Sequence, residues 1–295
     1  MSKIDLHIHS KASSDGEYSA QEIIRECQQK GMEIISITDH NSVRSVGEAM
    51  DMTTDFQVIA GIELDCTYRE KNFHLLGYGI DYTREEFTEI EQDILDQEKR
   101  LAEEKIRLFT KFTNIPVSPD EIFAAAENGI VTGELIADLV LARENAAQYE
   151  ILRPYLPGGT KSDMPNVRFY WDFFSAGKPA YIPVRYLALP EAVALVHQTG
   201  GMAVLAHPGQ NLGGDDTLLS AILAEKIDGI EVFSSYHQPS AAAHYLKIAE
   251  QNGLLISCGS DFHGKHKPGI GLGEHGALWD DRRLKDGIEA WFSGR

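Results

Sequence analysis

Long apolar runs are missing from this sequence. No window approaches about eighteen uninterrupted apolar residues, so no segment reads as a membrane-spanning helix. Cysteine is scarce as well. Cys27, Cys66 and Cys258 are odd in number, far apart and outside any C-x-x-C pair, which excludes a disulfide framework and fits reduced thiols. The opening stretch Met1-Ser2-Lys3-Ile4-Asp5-Leu6-His7 turns polar at once and offers no signal-peptide core, so the expected location is cytoplasmic. Basic residues are few, with 27 Lys and Arg against 45 Asp and Glu, a net charge of −18. Such a surface repels duplex nucleic acid, whose binding depends on neutralised phosphates. It admits a small phosphorylated substrate, because bound divalent cations reverse the field inside a site.

What is present is an ordinary globular composition, 43% hydrophobic and 24% charged over 295 residues, with eleven histidines. Ile4 to Ser10 alternates strictly, placing Ile4, Leu6 and Ile8 on one face of a strand and Asp5, His7 and His9 on the other. Ser19 and Glu22 form a capping box for a helix that turns Ile23, Ile24 and Cys27 inward and stops at Gly31. Strands are expected at 34–38, 56–64 and 73–80, with a short helix at 43–50. Arg84 to Thr113 is highly charged, with Phe87, Ile94, Leu101 and Leu108 seven apart, as in a long helix with a narrow apolar seam. Helices are expected at 119–128 and 133–148. Alternation of helix and strand resumes near Leu189, with strands at 202–206, 229–233 and 254–259. The pattern predicts an α/β chain: residues 1–83 and 187–295 form a βα-repeating barrel, and residues 84–186 a helical insertion.

The histidines decide the chemistry. Chance alone gives roughly 0.4 His-x-His pairs in a chain of this composition, so His7-x-His9 by itself says little. Ligand-type residues recur, however, at the ends of six predicted strands: His7/His9, Asp39-His40, Glu63, His74, His207 and Asp261-x-His263, with Asp15 in the loop after the first pair. Packing does not call for imidazole at equivalent strand ends. Side chains converging there suit two or three divalent ions, manganese foremost and iron or zinc otherwise. Asp39 is either an acceptor that orients an imidazole or a strand cap.

The ordered set His7-x-His9, Asp15, Thr38-Asp39-His40-Asn41, Gly61-Ile62-Glu63, His74, Ala206-His207-Pro208 and Gly259-Ser260-Asp261-x-His263 resembles the PHP (polymerase and histidinol phosphatase) family. The resemblance spans residues 1 to about 275 outside the insertion. It implies a distorted (β/α)7 TIM-like barrel and a metal-dependent phosphoesterase acting through a metal-bridging hydroxide. It also implies a grouping of ligands: His7, His9, Glu63 and Asp261 for one ion; Glu63, His74 and His207 for a second; Asp15, His40 and His263 for a third. Asp261 and His237 are the catalytic candidates. His237, in Ser234-Ser235-Tyr236-His237-Gln238, is either a proton donor or phosphate contact, or a plain loop histidine. Arg44, Lys161, Arg168 and Arg185 are the candidate phosphate clamps.

Substrate choice is expected in the insertion, as a lid over the barrel mouth. Nucleotide-acting members of the family carry an Arg-Thr-His-type segment there, where this chain has Val131-Thr132-Gly133. That difference weakens a nucleoside 3′,5′-bisphosphate and leaves the branch acting on phosphoribosyl cyclic phosphates beside it. Two other classes stand as alternatives. An amidohydrolase also uses a His-x-His strand but bridges its metals with a modified lysine, and no lysine is expected in a barrel strand between His40 and His207. A non-catalytic PHP accessory module would not need the full ligand set.

Overall fold

The computed structural model describes residues 1–13, 15–52, 55–126 and 130–293. The chain divides into two compact units, one of Met1–Glu89, Tyr186–His263 and Ile270–Arg295, the other of Ile90–Arg185 with Gly264–Gly269. Among the described residues no helix is long and apolar enough to cross a membrane.

The first unit is a mixed α/β structure. It opens with β1 (Ile4–Ile8), α1 (Ala20–Lys30), β2 (Ile34–Ile37), α2 (Arg44–Asp51), β3 (Gln57–Val58), β4 (Gly61–Tyr68) and β5 (Lys71–Tyr78). The helix α3 (Glu85–Thr113) begins here and continues into the second unit. The chain returns with β6 (Leu187–Ala188), α7 (Leu189–Gln198), β7 (Met202–Leu205), α8 (Pro208–Leu212), α9 (Asp216–Leu223), β8 (Gly229–Ser234), α10 (Pro239–Asn252), β9 (Leu255–Gly259) and α11 (Asp281–Phe292). α1 forms as its sequence dictates. Ser19 and Glu22 close the capping box, Gly31 takes φ 64° at the C-terminal end, and Ile23, Ile24 and Cys27 are buried.

The strands form two sheets, ordered β1-β2-β3 and β6-β4-β5-β7-β8-β9. Isolated parallel bridges between Ile8 and Phe262 and between His40 and Glu63 connect them. Both faces of β1 are buried. Its alternation therefore separates two interiors: Ile4, Leu6 and Ile8 in apolar packing, and Asp5 and His7 in a polar one.

Three expectations are corrected. β4 runs past Leu64 to Tyr68 and turns straight back into β5, so the pair is an antiparallel hairpin inside what was expected to be a βα-repeating barrel. The two-residue turn Arg69-Glu70 has φ 48° and 63°, the mirror-image turn that matches strand twist, without the Asn-Gly that would have signalled it. His74 therefore lies in the first half of β5, not at a strand end, and is paired with Asp65 of β4. Lys71 does lie in a strand; it is exposed beside the turn, opposite Tyr68.

The second unit holds most of α3, then α4 (Pro119–Ala125), α5 (Gly133–Leu141) and α6 (Pro165–Phe173), with 3-10 turns at Ala146–Gln148 and Glu150–Tyr155. The expected end of α4 at Asn128 lies outside the described residues. The seven-residue seam is also corrected. The fully buried stripe of α3 in this unit is Ala102, Ile106 and Phe109, while Ile94, Leu101 and Leu108 are only partly covered. A straight helix drifts off a seven-residue repeat by roughly 20° per heptad. The stripe packs on an aromatic cluster in which Phe169 lies 4.7 Å from Phe173, 5.4 Å from Phe109 and 5.3 Å from Tyr155, ring centre to ring centre.

Phe169 has no solvent exposure, so Phe169→Ala leaves a cavity at the centre of that cluster. We expect a loss of about 3–5 kcal/mol and a smaller loss for Phe169→Leu. Urea denaturation checks this; a loss under about 1 kcal/mol in the alanine variant would place the core of this unit elsewhere.

Candidate metal centre

The site is built on the first unit. β1 delivers His7 and the following His9; the chain after β2 delivers His40; β4 delivers Glu63 and β5 His74. The segments after β7 and β9 deliver His207, Asp261 and His263. All nine predicted ligand residues are brought together. Their ligand atoms form three overlapping clusters able to hold a metal ion: His7, His9, Glu63 and Asp261; His9, Asp15, His40 and His263; His40, Glu63 and His74. His207 joins through Glu63, with Nε2 3.1 Å from Oε1.

Glu63 is at the centre. Its Oε2 lies 3.1 Å from Nε2 of both His7 and His9 and 3.3 Å from Nδ1 of His40. Its Oε1 faces Nδ1 of His74 at 3.0 Å as well as His207. Although three imidazoles surround it, buried Oε2 takes no hydrogen bond. The nitrogens are close to the oxygen without aiming a proton at it.

Separations in the first cluster fit a shared cation. His7 Nε2 and His9 Nε2 are 3.0 Å apart, and Asp261 Oδ1 is 3.3 and 3.1 Å from them. Two ligand atoms each about 2.1 Å from one ion and at right angles lie about 3.0 Å apart. Two facing imidazole lone pairs at this distance need a positive charge between them.

For His7, His9 and His263 the far side of the ring fixes which nitrogen is offered. His7 Nδ1 lies 2.9 Å from Glu231 Oε1, a pure acceptor, so Nδ1 carries the proton and Nε2 is free for the cluster. His263 Nδ1 donates to the Asp261 carbonyl at 2.9 Å, with the same result. For His9 the acceptor is Ser13. Its Oγ donates to Asp39 and accepts from the His40 backbone N–H, so His9 Nδ1, 2.9 Å away, is the donor.

Electrostatics give the same picture. Burial disfavours charge on the imidazoles, yet carboxylates overcome it. Glu63, Glu231 and Asp261 hold His7 well above the usual histidine range, and Asp261 and Glu63 raise His9 to about 9. Burial likewise opposes charge on the acids, but His7, His74 and His40 hold Glu63 well below the carboxylate range, and His263 and His40 do so for Asp15. A set of acids and imidazoles that binds protons this tightly is one that cations would occupy in their place.

Other predicted residues fare differently. Asp39 touches no imidazole; it accepts from Ser10, Ser13 and Ser45 and reaches His9 and His40 only through Ser13. His237 donates Nδ1–H to the Val232 carbonyl and accepts the Gly209 N–H at Nε2. It is buried, which lowers its pKa, and both of its ring nitrogens are engaged by backbone groups. Lys161 is paired with Asp172, and Arg168 makes a two-pronged pair with Asp163, so both expected clamps spend their donors inside the second unit. Exposed Arg185 gives its backbone N–H to Gln97. Exposed Arg44 reaches the Ala12 carbonyl, one residue from Ser13.

Three residues at the site escaped the sequence reading: Ser13, Asp65 and Glu231. A carboxylate inside the apolar run Ile230-Glu231-Val232-Phe233 was a usable signal, as was Asp65 two residues beyond Glu63 on a strand.

Residues 5–149 match the PHP domain. The 5′-3′ exoribonuclease Rnm of Escherichia coli is 26% identical over 97% of this chain and 91% of its own. The 3′,5′-nucleoside bisphosphate phosphatase of Chromobacterium violaceum is 27% identical over 92% and 91%. The phosphoribosyl 1,2-cyclic phosphate 1,2-diphosphodiesterase of Eggerthella lenta is 26% identical over 88% and 94%. A solved structure from Bifidobacterium adolescentis, assigned to the metal-dependent phosphoesterases, superposes with a TM-score of 0.75 at 26% identity, covering 97% of this chain and 95% of that one.

Gly259 ends β9 against the first cluster. A Cβ there would sit 2.1 Å from His7 Cβ and 2.7 Å from Glu231 Oε1. Gly259→Ala must therefore move His7, and we expect manganese affinity to fall by about tenfold or more with the circular dichroism spectrum kept. Calorimetric titration with manganese decides it; wild-type affinity would mean that the ring position is not critical.

Proposed function

We propose, from the premise that this chain is a PHP-domain metal-dependent phosphoesterase, that it hydrolyses a small phosphorylated metabolite at the His/Glu/Asp centre of its first unit. The observation that carries the assignment to this centre is the Glu63 carboxylate, with five imidazoles within 3.3 Å of its two oxygens. We read the two sheets, joined at Ile8–Phe262 and His40–Glu63, as the distorted seven-stranded barrel the family resemblance implies. Residues 84–186 are the specificity-setting insertion.

In this reading His7, His9, Glu63 and Asp261 hold one divalent cation. Glu63, His74 and His207 hold a second, and Asp15, His40 and His263, with His9 beside them, a third. Manganese is our first choice of metal, before iron or zinc. When bound, such cations supply an acidified water as nucleophile and neutralise phosphoryl charge. The chain's own work is positional. Glu231, Ser13 and the Asp261 carbonyl hold His7, His9 and His263 with Nδ1 protonated, so that Nε2 always faces inward. Asp261, 3% exposed, closes the first cluster, with Oδ1 3.3 and 3.1 Å from the Nε2 atoms of His7 and His9. Arg44, whose tip reaches the Ala12 carbonyl one residue from Ser13, is the cation we assign to a phosphate oxygen.

The substrate classes are a sugar cyclic phosphate, opened and then hydrolysed as a monoester, and a nucleoside phosphate ester; a relative of similar identity acts on each class. The exoribonuclease relative favours a second reading, removal of nucleotides from the 5′ end of RNA. The charge of −18 counts against an extended polyanion beyond its end.

Chelation should abolish turnover, and added manganese should restore it. His9→Ala and Asp261→Ala should reduce turnover to background with the fold kept. Wild-type turnover in either variant would remove the first cluster from the reaction. In ¹⁸O-water the label should enter the phosphate, or the monoester formed when a cyclic ester opens. Label in the sugar product alone would mean attack at carbon and would reject hydrolysis at phosphorus. A panel of cyclic phosphates, nucleoside bisphosphates and 5′-phosphorylated oligoribonucleotides separates the substrate classes.

A further inference from the structure

Asp65, like Glu231, is a carboxylate at this centre that none of the ligand assignments uses, and it is the one that faces His74. It lies two residues beyond Glu63 on β4, hence on the same face of the strand, and the hairpin sets it opposite His74. Its Oδ1 is 3.1 Å from His74 Nε2 and 3.7 Å from His40 Nδ1. Its Oδ2 accepts from Asn41 Nδ2 at 2.6 Å, and its backbone N–H donates to Asn41 Oδ1 at 2.9 Å. Asn41 follows ligand His40 and sits at φ 53°, a left-handed conformation that this paired contact holds in place.

The consequence for His74 is specific. A carboxylate faces each ring nitrogen, Asp65 at Nε2 and Glu63 Oε1 at Nδ1; when a cation takes the place of the proton between Nδ1 and Glu63, Asp65 keeps Nε2 as the donor. His7, His9 and His263 are held the other way, by acceptors on Nδ1 that leave Nε2 for the cluster. We infer that Asp65 is a positioning residue that commits His74 to offering Nδ1, so that it governs the second cation position without touching the first. The inference rests on the proposed metal centre.

Manganese titration of the whole chain by calorimetry tests it, with the free ion as the probe. In Asp65→Ala one manganese should bind 10–100-fold more weakly than in wild type, with the remaining affinity unchanged. Asp65→Asn keeps the size but loses the charge and should show a smaller loss at the same ion. If the alanine variant fails to fold, the asparagine variant carries the test alone. On a His74→Ala background, removing Asp65 should change affinity less than twofold, because the route through His74 is gone. Wild-type affinities in both Asp65 variants would overturn the inference, as would uniform loss of every ion or an undiminished effect on the His74→Ala background. Absence of manganese binding by the wild-type chain would instead reject the metal centre itself.

Discussion

A fully buried carboxylate surrounded by five imidazoles is the constraint on which the rest of this structure depends. Glu63 cannot be solvated by water, and its charge is kept because histidines from β1, from the turns after β2 and β7, and from β5 supply positive character on every side. Isolated charges in such a place cost several kcal/mol. The arrangement persists only if strands distant in sequence meet within a few tenths of an ångström. Histidines held in place by acceptors on their outer nitrogens are what that precision requires.

Other buried acids provide the precision. Asp5 accepts from the backbone of His7, Ser260 and Gly273 and from the Ser260 hydroxyl, tying β1 to the chain beyond β9. Asp39 gathers the serines at 10, 13 and 45 and so binds the end of β2 to the loop after β1. Glu231 joins the His7 ring to the backbone N–H of His207, linking β8 to β1 and to the end of β7. Each is paired with donors in a low-dielectric interior, where a satisfied network is rigid and an unsatisfied one is costly. Part of the acidic excess is therefore internal and structural.

The sequence carried the apolar scaffold clearly. Strict alternation in β1, the Ser19/Glu22 capping box and the β7–β9 repeats are local signals, and the nine ligand residues stood out as imidazoles and carboxylates recurring beside strands. What could not be read depended on pairing between segments. The Arg69-Glu70 turn gives no compositional hint of its left-handed pair, so the hairpin that brings His74 opposite Asp65 was invisible. His237 looked reactive because a histidine in a loop after a strand resembles a proton donor. Only coordinates reveal a carbonyl on one nitrogen and an N–H on the other. The buried face of α3 was missed because a seven-residue repeat and a 3.6-residue turn diverge over 29 residues.

The distribution of cations narrows how an anionic substrate could be held. Of the four basic residues that stood out, Lys161 and Arg168 are neutralised by Asp172 and Asp163 of the same unit, and a paired guanidinium presents few donors to a phosphate. Arg44 is different in position, because its tip reaches the backbone carbonyl of Ala12, one residue from Ser13 beside the centre. Since the exterior is acidic, attraction for a phosphate must arise close to the centre itself. The field that draws substrate then disappears with the cations that perform the chemistry. Binding and turnover of a phosphate ester are in that way coupled to the same Glu63-centred cluster.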